Sequence, residues 1–243
     1  MLPDWDMFQT AGGEAGAWGG FHAAARCVSG GPVYITDIPG SHDLGLIGQM
    51  TGRTPRGKTV VFRPSVVGRV VLGGYEGYDD VRAGRSGTLV KVGAYHGRAA
   101  EGTGIVGVFN LAEREVAEVL PLAGFPGVVA GEGRRYVVRA HGTGRVTPPV
   151  EAGSPASLLT VSLGLRGYDV LCAYPLNAVE SRTRGEVLLA NLGLVGKLTG
   201  CAAVMRTVFE VRDNGRMLVD ATLKALGVLG KFDRLTPQIC CVD

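Results

Sequence analysis

The run Cys201-Ala-Ala-Val-Met-Arg-Thr-Val-Phe-Glu-Val211 is followed by Arg212-Asp213-Asn214-Gly215-Arg216 and then by Met217-Leu-Val-Asp-Ala-Thr-Leu223. Two β-rich stretches thus flank an Asn-Gly pair. Asn and Gly tolerate the positive φ that a tight turn between twisted antiparallel strands requires, so the segment predicts a hairpin. Working outward, similar short runs recur at Thr88–Tyr95, Gly104–Leu111, Arg135–Ala140, Ser157–Leu165, Tyr168–Tyr174, Glu186–Leu192 and Gly227–Phe232, separated by turn signals such as Arg166-Gly167. Short strands at this spacing predict an antiparallel β-sandwich over 88–243.

Composition agrees with many turns. Glycine supplies 39 of 243 residues, about twice ordinary usage, and without the fixed period of a collagen or a solenoid. The chain is 46% hydrophobic, enough for a substantial core. With 19% charged residues and a formal net charge of +3, it has no basic run of the kind that nucleic acid or an anionic membrane attracts. The N-terminus lacks the basic and apolar regions of a signal peptide, and no uninterrupted apolar stretch is long enough to span a membrane. The five cysteines, Cys27, Cys172, Cys201, Cys240 and Cys241, form no C-x-x-C pair. Cys27, Cys172 and Cys201 lie in apolar runs and are expected as buried free thiols. These features predict a cytoplasmic protein with no metal and no cofactor, and with neither nucleic acid nor membrane as partner.

The first 50 residues read differently. Trp18, Phe21, His22 and Ala25 recur at helical spacing over Ala15–Cys27, and Gly30-Gly31 stops the helix. Pro32-Val-Tyr-Ile-Thr36 is a β-branched run ending at Asp37. A helix, a glycine break and a strand ending in an acid make half of a parallel α/β unit. Residues 51–87 connect it to the β part, with one strand at Val66–Leu72.

Two motifs carry a resemblance. Pro3-Asp4-Trp5-Asp6-Met7-Phe8-Gln9 and His22-Ala-Ala-Ala-Arg26-Cys-Val-Ser29-Gly30-Gly31-Pro32-Val-Tyr34-Ile-Thr-Asp37-Ile-Pro39-Gly40 resemble the raffinose synthase and seed-imbibition-protein branch of glycoside hydrolase family 36. Gly104–Asn110, Tyr136–His141, Arg166–Leu176 and Leu223–Gly230 resemble later segments of the same branch. The resemblance implies an α/β plus all-β chain: residues 1–50 as the last part of a (β/α)8 barrel, 51–87 as a connector, and 88–243 as a C-terminal antiparallel β-sandwich.

The resemblance also implies chemistry on α-galactosides, by galactosyl transfer or by hydrolysis, with retention. Galactose-containing oligosaccharides (raffinose-type sugars, galactinol, sucrose) are the implied partners. Retaining chemistry takes two carboxyl groups about 5–5.5 Å apart. In this branch both belong to segments that precede the Pro-Asp-Trp-Asp-Met motif. They are therefore expected upstream of Met1. No residue of this chain is assigned as nucleophile or acid/base, and the chain alone is expected to be inactive. The implied sugar-site residues are Asp6 and Met7, with Asp4, Trp5 and Asp37. Asp4 and Asp6 share a face of an extended backbone; a carboxylate accepting two hydroxyls binds a sugar directionally, and Trp5 suits stacking. Asp37 would end the last barrel strand, where such barrels cluster their active residues.

Simpler roles compete. Asp37 can cap the turn before Pro39-Gly40. His42-Asp43 lacks further ligands at metal spacing and reads as a solvated loop pair. His22 reads as a core histidine, Arg53 and Arg56 as surface groups, and Ser29-Gly30-Gly31 as a turn, since no phosphate-loop pattern is present. The alternative function is a non-catalytic carbohydrate-binding or partner-interaction module.

Overall fold

The computed structural model describes residues 7–11, 18–73, 88–99, 101–131, 133–181, 185–211 and 217–233. In chain order these form helices α1 (Gly19–Ser29) and α2 (Leu44–Met50), then β1 (Thr51–Arg53), β2 (Thr59–Val61), β3 (Val66–Val70), β4 (Val90–His96), β5 (Thr103–Phe109) and β6 (Val116–Pro121). There follow β7 (Arg135–Ala140), β8 (Val150–Glu151), β9 (Leu158–Leu163), β10 (Tyr168–Pro175), β11 (Asn177–Ser181), β12 (Gly185–Leu194), β13 (Val204–Val211), β14 (Met217–Leu223) and β15 (Leu229–Asp233). Every strand pair among the described residues is antiparallel.

The central sheet has the order β3-β4-β5-β10-β7-β8. Its middle strands are buried on both faces, because successive side chains point to opposite sides. Ile105 and Phe109 of β5, Val170, Cys172 and Tyr174 of β10, and Val137 of β7 face one core. That core is completed by α1, α2 and residues of β12 and β15, including Phe21, Met50, Ala190 and Phe232. Val106, Val108, Leu171, Ala173, Tyr136 and Val138 face the other core, under the β6–β9 ribbon. Burial on both faces explains why these strands read as nearly continuous apolar runs. A third, smaller cluster joins Phe62 to Leu194, Ala202, Ala203 and Ala225.

The hairpin read around Asn214-Gly215 is present as the β13–β14 pair, with Val211 opposite Met217; the turn residues themselves lie outside the described residues. β7 and β14 have the expected bounds, and the other expected strands shift by a few residues at their ends. Cys27, Cys172 and Cys201 are buried free thiols, as expected. Strand β6 was not legible. Its inward positions are Val116, Glu118 and Leu120, and the central acid breaks the apolar alternation. Glu118 faces inward because it forms an ion pair with Lys91, whose side chain is 2% exposed.

Two expectations near the N-terminus need correction. Pro32–Thr36 is not a strand: residues 31–38 run without a ladder partner among the described residues, where no neighbouring strand lies alongside to take up their backbone groups. Tyr34, Ile35 and Ile38 are consequently exposed. Helix α1 runs two residues beyond Cys27 to Ser29, and the expected stop follows at its cap Gly30, whose φ of 71° only glycine adopts without strain. Its buried face is Phe21, Ala23, Ala24, Cys27 and Val28. His22 points outward rather than into the core, and its Nδ1 lies 3.4 Å from an Arg26 nitrogen.

Candidate sugar-site edge

The segment Met7–Ala11 contains the end of the first motif and runs two residues past it, and three residues of the second motif hold it. The first is Arg26, 2% exposed on α1. Its guanidinium lies 4.6 Å above the Phe8 ring and donates to the Met7 carbonyl at 3.1 Å and to the His22 carbonyl at 3.4 Å. A planar, delocalised cation can stack and donate together, which an ammonium cannot. Phe8 beneath it is 1% exposed. The N-terminus of α1 comes close on the same side: a Cβ on Gly19 would meet the Thr10 carbonyl oxygen at 2.5 Å, so only glycine fits.

The second is Thr36, whose N–H and hydroxyl both donate to the Phe8 carbonyl, at 2.8 and 3.2 Å. The third is Asp37. Its Oδ1 accepts the N–H of Thr10 at 2.8 Å and of Ala11 at 3.0 Å, and its Oδ2 accepts the Thr10 hydroxyl at 3.0 Å. The Thr10 oxygen in turn accepts the N–H of Asp43 at 2.9 Å. Asp43 caps α2 by accepting the Leu46 N–H at 2.9 Å, the helix-end role that an acid fills well. Partial burial acts to raise the Asp37 pKa, but the Ala11 and Thr10 donors and the nearby His42 outweigh it and hold the carboxyl below its ordinary range.

A carboxylate has about four acceptor positions. Three of those of Asp37 are occupied by the chain itself, which leaves about one for an external hydroxyl. Asp37 is therefore first a fastener between the two motifs. Met7 contributes its carbonyl to Arg26, while the residue as a whole is 72% exposed. Asp4, Trp5 and Asp6 lie outside the described residues. Thr10 and Arg26 were not singled out in the sequence. Arg26 sits inside the second motif, but nothing in its spacing reveals that its partner is the Met7 carbonyl.

The remaining features of this region are structural. The Ser29 hydroxyl donates to the Arg26 carbonyl and accepts the Gly31 N–H, which makes the Ser-Gly-Gly run a turn. Among the described residues no group of three His, Cys, Asp or Glu side chains could hold a metal ion, and no helix is long and apolar enough to cross a membrane.

Similarity to known proteins follows the same motifs. Residues 1–76 match the family described as raffinose synthase or seed imbibition protein Sip1. Over 99% of its length the chain is 30% identical to a galactinol–sucrose galactosyltransferase of Oryza sativa subsp. japonica, of which it covers 30%. It is 26% identical to the probable galactinol–sucrose galactosyltransferase 6 of Arabidopsis thaliana over its full length, covering 32% of that protein. A stretch of 47 residues is 49% identical to stachyose synthase of Pisum sativum. The chain thus spans about a third of the length of the curated relatives it matches end to end. The family match in its first third and the galactosyltransferase likeness along its whole length together support membership of the raffinose synthase and seed imbibition protein family.

Proposed function

We propose that this chain supplies one edge of the sugar site of a galactosyl-transferring enzyme acting on α-galactosides such as galactinol, sucrose or raffinose-type sugars. Asp6 and Met7 line the pocket, with Asp4 and Trp5 beside them. Asp37 closes the same edge, and the nucleophile and acid/base come from sequence upstream of Met1. The observation that carries the reading is the triple hydrogen bonding of Asp37 to Thr10 and Ala11. It ties the two motif segments into one unit, so a displacement of Asp37 moves the backbone that leads to Met7 and Asp6. Supporting it, Met7, Tyr34, Ile35, Ile38 and Leu44 are exposed apolar residues that flank or lie in the two motifs. Further barrel strands would cover these residues, as contiguous exposed apolar surface is usually covered or bound.

The test joins this chain to the remainder of a family enzyme and assays galactosyl transfer from galactinol to sucrose. Asp6→Asn and Asp37→Asn are each expected to lower kcat/KM at least about ten-fold, the loss of roughly 1.4 kcal/mol of transition-state binding. Unchanged kinetics in Asp6→Asn would exclude the pocket role. Transfer by the 243-residue chain alone would overturn the assignment of both carboxylates elsewhere.

A further inference from the structure

A cleft of about 470 Å³ opens between the β4–β5 turn, the end of β10 and one side of β13. It shares no residue with the Met7–Asp37 junction, and its size lies within the roughly 300–1,000 Å³ usual for small-molecule sites. Among its lining residues, Asn191 Nδ2 donates to the Thr207 hydroxyl oxygen at 2.8 Å, and Asn191 Oδ1 accepts the Gly193 N–H at 2.9 Å. The β12–β15 register shifts between Asn191 and Gly193, so the bulge holds this amide in one orientation. An amide nitrogen has two protons and an accepting hydroxyl keeps its own. The pair therefore retains one N–H and one O–H for a ligand.

The neighbouring groups extend that neutral set. His96 is saturated, with Nε2 3.0 Å from the Val204 carbonyl and Nδ1 3.0 Å from the Ser65 hydroxyl. Burial, together with Lys224 and against the Val204 bond, keeps it below its ordinary pKa and hence uncharged at neutral pH. Thr103 and Asn177 also line the cleft, and the half-buried Phe209 and Pro175 add apolar surface. Charge of both signs is confined to exposed residues, Arg98, Glu101 and Arg206.

We propose that this cleft binds a neutral sugar, whose adjacent hydroxyls meet the Asn191–Thr207 pair and Asn177 while a C–H face lies against Phe209. Sugar hydroxyls both donate and accept, so they match a lining of amides and hydroxyls with a carboxylate at the rim. An anion would instead call for cations or free backbone N–H groups beside the Asn191–Thr207 pair, whereas Arg98 and Arg206 are exposed residues that share the lining with Glu101. This site rests on its own lining and is independent of the galactosyl-transfer reading.

The test uses the full chain, isotopically labelled, with the Asn side-chain amide resonances followed during titration. Sucrose and raffinose serve as neutral probes and inorganic phosphate as the anionic one. The sugars are expected to shift the Asn177 and Asn191 amides saturably, and phosphate is not. Asn177→Ala and Thr103→Val should each weaken the sugar about five-fold, one hydrogen bond's worth, with the thermal midpoint unchanged. Asp37→Asn should leave this affinity intact. No saturable shift up to the solubility limit of both sugars would overturn the proposal, as would a phosphate response without a sugar response. Sugar binding that Asp37→Asn abolishes and Asn177→Ala leaves unchanged would assign it to the Met7–Asp37 junction and equally overturn the cleft.

Discussion

Asp37 accepts both the backbone N–H of Thr10, at 2.8 Å, and its hydroxyl, at 3.0 Å, across 27 positions of chain. One carboxylate thereby joins the segment after the first motif to the end of the second. Because the bonded form is the charged one, its folded pKa lies below the ordinary 3.8. Its stabilisation is fully present above that ordinary value and is lost as pH falls through the lower folded one. Asp37→Ala should cost about 1–2 kcal/mol at pH 7, and the difference from wild type should shrink below about pH 4. Urea melts at pH 7 and pH 3 check this; an equal difference at both would show that the charge is not what binds Thr10.

Arg26 is the second fastener. Arg26→Lys loses the stacking on Phe8 and the forked reach to the Met7 and His22 carbonyls. A loss of about 1–3 kcal/mol is expected. Amide hydrogen exchange should accelerate at Thr10 and Ala11 before it does in β5 and β10. Uniform acceleration across the chain would point to a global effect instead.

Lys91 and Glu118 pair across the core under the β6–β9 ribbon, where Glu118 also accepts the Leu89 N–H at 2.8 Å. Removing one partner leaves a desolvated charge. Glu118→Ala is expected to destabilise by about 3–5 kcal/mol, while the double change Lys91→Met with Glu118→Leu should recover much of that. Chemical denaturation of Lys91→Met, Glu118→Leu and their double variant measures the coupling, and strict additivity would contradict the pairing.

His96 and His141 are both held below the ordinary 6.5, chiefly by burial. Their neutral forms are favoured in the fold, so stability should be greatest above about pH 6.5 and fall as pH drops through the lower folded values. His96→Gln should flatten the fall of thermal midpoint between about pH 6.5 and 5. A midpoint that rises on acidification in this window would contradict the buried neutral assignment.

Burial pushes the Cys27 thiol up to about 12, against a small opposing contribution from Thr199. The thiolate is the nucleophile, so Cys27 should stay unalkylated by iodoacetamide at pH 8 in the folded chain and react on unfolding. Peptide mass spectrometry of both samples reads this directly; rapid native alkylation would refute the packing around α1.

Local rules made much of this chain legible. Gly30 stops α1 because its positive φ suits glycine, and apolar runs such as Tyr168–Tyr174 mark strands because their side chains alternate into two cores. The motifs from Asp4 to Asp37 pointed to the family without coordinates. What a one-dimensional pattern could not convey was pairing at long range. Glu118 broke the alternation of β6 because its partner Lys91 lies 27 residues away. Pro32–Thr36 has the residue types of a strand, yet a strand exists only where a neighbour takes up its backbone hydrogen bonds, and here the Phe8 carbonyl accepts Thr36 instead. The assignment of Asp37 to Thr10, and of Arg26 to Met7, was likewise decided by tertiary structure, because a hydrogen bond depends on the distance between atoms and not on their separation in sequence.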